Sequence, residues 1–95
     1  MQIRWQDDAI NDLIQIRRFI AMDNPSAAAR VANRIRSTVP ELANQPGMGR
    51  PGRVPGTRET VLVDVPYIIA YRVEENSVVI LRVLHTSRKW PETIT

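Results

Sequence analysis

The stretch PYIIAYRVEENSVVILRVLH, residues 66 to 85, holds two runs of alternating aliphatic and aromatic side chains around one short polar turn. Such a pattern reads as an antiparallel hairpin. With Glu75 and Asn76 as a two-residue turn, Val73 faces Val78, Arg72 faces Val79 and Tyr71 faces Ile80. Period-two alternation then puts Ile68, Ala70, Arg72, Val79, Leu81, Val83 and His85 on one side. Tyr67, Ile69, Tyr71, Ile80, Arg82 and Leu84 fall on the other. Both sides are mainly apolar, so this strand pair must be covered on both faces, and the rest of the chain has to supply the cover.

The remaining segments offer two helices. QIRW, Gln2 to Trp5, alternates as a short strand, and Gln6, Asp7 and Asp8 supply a helix start with carboxylates in its first turn. Ala9, Leu13, Ile16 and Ile20 then recur at helical spacing, flanked by Ile10 and Phe19, with Asn11, Asp12, Gln15 and Arg18 mostly opposite. A second helix opens with Asn24 as N-cap and Pro25 at its first position, and buries Ala28, Ala32, Ile35, Val39 and Leu42. Pro40 interrupts that pattern, and an interior proline costs about 3 kcal/mol, so a kink or restart is expected there.

NQPGMGRPGRVPG, with three prolines and four glycines, ends any helix and forms a connector into the strand TRETVLVDV. The helical hairpin covers one sheet face. The other is left to the connector and the C-terminal residues, or to another chain, which is the strongest sign of a protein partner in the residues themselves. The fold class that results is α+β, a helical hairpin on an antiparallel sheet, in one domain spanning residues 1–95.

Charge and composition narrow the function. The chain has no cysteine and one histidine, so no disulfide, thiolate metal site or recognisable zinc set is expected, and no cofactor is implied. No segment approaches the roughly 20 apolar residues that span a bilayer, and MQIRWQDDAI has neither a basic leader nor an apolar run, so a cytoplasmic protein is expected. Twelve of the thirteen cationic side chains are arginine, whose planar donor fork suits phosphate and carboxylate, so an anionic partner is plausible beside the plain alternative of a solvated surface.

Arg50, Arg53 and Arg58 bracket the connector, and Arg88 and Lys89 follow the last strand. These are candidates for target or phosphate binding, together with Arg82 and with Trp90, which is suited to stacking, to anchoring an interface or to covering the open sheet face. His85, at a strand end, is a candidate general acid or base, or else a sheet-end histidine bonded to backbone. GMGRPG lies between a helix and a strand rather than between a strand and a helix, so it offers no phosphate loop of the usual kind.

The order of strand, two helices and three antiparallel strands, with DNPSAAAR between the helices, LANQPGMGRPGR before the sheet and YRV…ILRVLH at its end, resembles the RelE/ParE superfamily of bacterial toxins. The resemblance implies a β-α-α-β-β-β fold and the toxin of a type II toxin–antitoxin pair, with growth inhibition and plasmid stabilisation as its outcomes. It also implies a cognate antitoxin that wraps and silences the toxin, and operator DNA contacted only through the antitoxin complex. RelE-like members cut messenger RNA on the ribosome; ParE-like members block DNA gyrase.

In RelE-like nucleases the third strand starts with an aromatic residue and then an arginine that sits on the scissile phosphate. This chain has Tyr67 and Ile68 there, and its second strand reads Glu59, Thr60, Val61, Leu62 where RelE carries basic residues. The departure favours the ParE-like branch. The runner-up is an mRNA interferase with His85 as acid–base residue and Arg50, Arg53 and Arg88 holding phosphate; a non-toxic interaction module is the third reading. His85 does not discriminate, because ParE-like sequences also commonly end that strand in LH.

Overall fold

The computed structural model describes residues 1–87, 90 and 91. Strand β1 (Gln2–Trp5) leads into helix α1 (Asp7–Ala21), and helix α2 (Pro25–Asn44) follows directly. A single 3₁₀ turn over Pro46–Met48 enters the connector, which carries the two-residue strand β2 (Arg50–Pro51). Strands β3 (Arg58–Val61), β4 (Tyr67–Val73) and β5 (Ser77–His85) complete a sheet of order β1-β5-β4-β3-β2. All its pairings are antiparallel except β1 with β5, which is parallel.

The helices form where the residues favour them. Asp7 and Asp8 occupy the first turn of α1, where carboxylates oppose the positive end of the helix dipole. The Asn24 side chain accepts the Ala27 amide at 3.1 Å and caps α2, with Pro25 next to it in the first turn. The restart expected at Pro40 does not occur: α2 is one element through to Asn44. Val39 and Leu42, on either side of the proline, are both buried, and their packing holds the helix across the missing amide.

The two helices cover one face of the sheet. Ile35, Val39 and Leu42 of α2 and Ala9 of α1 pack with Tyr67, Ile69, Tyr71, Val78, Ile80 and Val83. Burying each of the larger aliphatic side chains contributes about 1.5–3 kcal/mol. On the opposite face Ala70, Val79 and Leu81 are fully buried beneath Val54 of the connector and Trp90. The second face, left open to loops or another chain by the sequence, is closed by the chain's own connector and tail residue.

The hairpin turn is the one expected, with Val73 opposite Val78, Arg72 opposite Val79 and Tyr71 opposite Ile80. The register then shifts, because Ala70 pairs with Arg82 rather than Leu81. This β-bulge reverses the expected parity for the end of β5. Val83 lies with Tyr67, Ile69 and Tyr71 in the helix-facing core, and His85 pairs with Tyr67 and meets its ring edge-on at 5.3 Å between centroids. Strict alternation groups both with Ile68 and Ala70; one extra residue in the strand carries them across.

Strand β1 pairs only with Ser77 to Ile80, so β5 runs on with no strand at its outer edge. The Val83 amide at that edge donates instead to the Asp12 carboxylate at 2.9 Å. An edge amide is thus satisfied by a helix side chain.

Candidate functional site

The site is built around Glu59, which is only 1% exposed. On β3 it lies opposite Ala70, and Arg50 of β2 lies opposite it on the other side. A carboxylate removed from water is destabilising unless it is paired and hydrogen-bonded. The Arg53 amide donates to Glu59 Oε2 at 2.7 Å, while Arg50 Nη2 and Arg53 Nε lie 3.2 and 3.7 Å from Oε1. The two guanidinium groups share one carboxylate and remain about half exposed, so the patch keeps an excess of positive charge. The Arg53 guanidinium carbon also lies 4.1 Å from the centroid of the Trp90 ring, a cation–π contact.

The base of the connector is set by Tyr71. Its buried hydroxyl accepts the Gly49 amide at 2.9 Å and donates to the Pro46 carbonyl at 2.7 Å. A Cβ at residue 49 would fall on the Tyr71 ring and hydroxyl, so the close approach requires glycine. Arg58 Nη1 donates to the Gly49 carbonyl at 2.7 Å, and that arginine holds the connector rather than standing free for a ligand.

The structure therefore brings Arg50, Arg53 and Trp90 together; Arg58, paired with Tyr71, falls on the helix-facing side of β3. Arg82 is elsewhere. Its guanidinium makes two hydrogen bonds to Asp12, Nε to Oδ2 at 2.7 Å and Nη2 to Oδ1 at 2.9 Å. The hydrogen bond to Asp12, and then the Coulombic attraction of Asp12 and Asp8, outweigh burial and push its pKa above the ordinary arginine range. Arg88 and Lys89 lie outside the described residues.

His85 lies in a cleft between α1 and the ends of β4 and β5, lined by Asp12, Phe19, Tyr67 and Ser87 among others. The Ser87 amide donates to His85 Nδ1 at 3.1 Å, and Ser87 Oγ is 2.8 Å from the same atom. A backbone amide only donates, so in the neutral ring the proton sits on Nε2. His85 is on the helix-facing side of β5 at the Tyr67 rung; Arg50 is on β2, three strands away, at the Ala70 rung. Strand spacing and rise place their backbones on the order of 17 Å apart. Among the described residues no charged pair joins the two sites, and no group of three His, Asp or Glu is placed to hold a metal ion.

A second surface is apolar. Ile3, Ile10 and Ile14 are 38%, 43% and 43% exposed and, with Trp5, Leu13, Val39 and Pro40, line a groove between β1 and the two helices. Arg36 stands at its border. The sequence pattern showed neither Glu59 nor Asp12 as organising residues. The one signal for Glu59 is its closeness in the chain to Arg50 and Arg53; the helix period puts Asp12 on the polar side of α1, and nothing in it relates Asp12 to Arg82.

A helical hairpin on one face of a small mixed sheet, with a basic connector strapped over the other, is the architecture of a toxin of the type II toxin–antitoxin systems. The family model described as the ParE toxin of the type II toxin–antitoxin system parDE matches residues 3–90, and the chain belongs to that family. It is 47% identical over 93 residues to the protein named "Putative toxin Y4kP" of Sinorhizobium fredii, covering 98% of this chain and 96% of that one. It is 38% identical over 87 residues to "Toxin RelE2" of Caulobacter vibrioides, covering 92% and 97%. A solved structure titled as the chromosomal ParDE toxin–antitoxin system from P. aeruginosa superposes with a TM-score of 0.83 at 32% identity, over 92% of this chain and 97% of that one. The chain is thus a toxin of a type II toxin–antitoxin system, and an antitoxin partner follows from the family. Among the described residues, no helix is long and apolar enough to cross a membrane.

Proposed function

We propose that this toxin acts in the cytoplasm by binding and inhibiting DNA gyrase, through the surface that carries Arg50, Arg53 and Trp90. The observation that carries the reading is the separation of the candidate residues. A ribonuclease needs a base for the ribose 2′-OH and cations on the same phosphate. Here His85 is on the helix side of the sheet, the arginine pair is on the other, and Arg82 is held by Asp12. A cationic patch with an adjacent tryptophan is suited to recognising a macromolecular surface.

The antitoxin, in this reading, neutralises the toxin by laying an amphipathic helix in the groove of Ile3, Ile10 and Ile14, whose exposed aliphatic side chains and bordering Arg36 fit an apolar ridge flanked by carboxylates. Operator DNA is reached through the antitoxin in the complex. The reading is tested with purified toxin in a gyrase supercoiling assay beside pulse-labelled translation. Supercoiling falls at once and translation late if gyrase is the target.

The alternative reading, an endoribonuclease acting on ribosome-bound messenger, is favoured by one finding, the name RelE2 borne by the Caulobacter relative. Early loss of translation with cuts in ribosome-bound messenger, and intact supercoiling, would establish it in place of the first.

A further inference from the structure

We propose that Glu59 is a positioning residue for the toxin's target surface: it fixes Arg53, and Arg53 in turn docks Trp90 over the second face of the sheet. The proposal rests on the reading above that this surface meets the target. Glu59 itself, at 1% exposure, touches no target; it acts through the residues it holds.

Three observations converge. Among the described residues Glu59 is the one carboxylate shared by both connector arginines, and it takes the Arg53 main-chain amide as well as approaching its side chain, so it sets both where the connector runs and where the guanidinium points. That guanidinium lies against the Trp90 ring. The Trp90 indole N–H, finally, is buried with no hydrogen-bond acceptor among the described residues, so the ring is held by packing and by Arg53 and not by a bond of its own. The ring closes the sheet over Ala70, Val79 and Leu81, and these apolar residues would meet water if it left. A single buried charge on β3 therefore couples the connector to the tail, and the recognition surface is assembled before any target arrives.

The coupling predicts an ordered set of effects. Glu59→Gln keeps the shape and an acceptor for the Arg53 amide but removes the charge, and Arg53→Met removes the cation from the ring. Loss of a cation–π contact at a partly exposed site shifts the balance between docked and undocked ring by about threefold. Arg53→Lys retains a cation beside the ring and should keep Trp90 docked; it is read for docking alone, because Arg53 belongs to the target surface.

The test uses the full-length toxin carrying Trp5→Phe, so that Trp90 is its one tryptophan, with acrylamide quenching as the readout of docking and growth inhibition on induction as the readout of action. Quenching that rises in Glu59→Gln and Arg53→Met but not in Arg53→Lys, with growth inhibition falling in Glu59→Gln, supports the proposal. Unchanged quenching in Glu59→Gln overturns it. So does a rise in quenching with full growth inhibition, which would leave Trp90 docked by Glu59 but irrelevant to action. Thermal unfolding of each variant separates loss of docking from loss of the fold, and should Glu59→Gln not fold, Arg53→Met is read in its place: unchanged quenching there also overturns the proposal. Because growth is read whatever the target, failure of the gyrase reading appears separately, in the supercoiling assay.

Discussion

Asp12 and Arg82 lie 70 residues apart in the chain and meet through two charge-assisted hydrogen bonds, while the same Asp12 carboxylate also accepts the Val83 amide. The contact ties α1 to the half of β5 that β1 does not reach. The Arg82 side chain is 23% exposed and that of Asp12 10%, so solvent screens the pair only in part. Removing Asp12 leaves the Arg82 charge and an edge amide without compensation, and Asp12→Ala is expected to cost about 2–3 kcal/mol in chemical denaturation.

The pH dependence of that contact follows from its sign. Asp12 raises the Arg82 pKa in the folded state, so the contribution of Arg82 is fully present below the unfolded arginine range and is lost only as pH rises through the still higher folded value. Arg82→Met should therefore lower stability by the same amount at pH 7 and at pH 9, as measured by urea titration at both. A difference between the two that grows with pH would mean that another group controls the contact.

The Tyr71 hydroxyl is the hinge-pin of the connector, and two substitutions probe it differently. Tyr71→Phe removes an acceptor for Gly49 and a donor to Pro46 without changing the core shape, which should cost about 1–3 kcal/mol. Gly49→Ala instead drives a methyl group into the ring and should cost at least as much, about 1–3 kcal/mol or more. Both are checked by thermal unfolding with limited proteolysis of the connector, which should be cleaved faster in each variant.

Which parts of the molecule could be read from the chain follows from the range of the forces involved. Helix starts at Asp7 and Asn24, the hairpin turn at Glu75 and Asn76 and the apolar strand pair are local patterns, and they appear where expected. The β-bulge at Leu81 is not local. It is a property of how β5 pairs with β4, and one extra residue is enough to move Val83 and His85 to the other face. Pro40 shows the same limit from the opposite side, since its helix-breaking tendency yields to the packing of Val39 and Leu42. In the candidate site the cations Arg50 and Arg53 were legible by type. Their common partner Glu59 was not, because a buried carboxylate is recognisable only once its strand has a neighbour on each side.

The exposed isoleucines offer a way to separate antitoxin binding from folding. Ile10 and Ile14 each keep 43% of their surface in contact with water, so a polar replacement removes little core. Paired Ile10→Glu and Ile14→Glu should leave the unfolding temperature within a few degrees and weaken antitoxin binding by about 10- to 100-fold, a loss typical of a central interface position. Calorimetric titration of the antitoxin into the variant measures it. Affinity equal to the parent would place the antitoxin on another surface.

His85 provides the sharpest test of how the toxin acts. Its Nδ1 is occupied by Ser87, its ring stands edge-on to Tyr67, Arg50 and Arg53 are across the sheet, and Arg82 is held by Asp12. Under the gyrase reading the imidazole contributes to the cleft wall and not to chemistry, so His85→Ala should retain growth inhibition to within about threefold, the scale of a modest packing loss. Under the nuclease reading the same change removes a general acid–base group, and such a group contributes about 10²- to 10⁴-fold to rate. Induction of the variant at matched protein level, with growth and messenger cleavage followed in parallel, distinguishes the two: a collapse of toxicity together with loss of cleavage would assign His85 a chemical role, whereas near-parental toxicity leaves the cationic surface on the opposite face as the working part of the molecule.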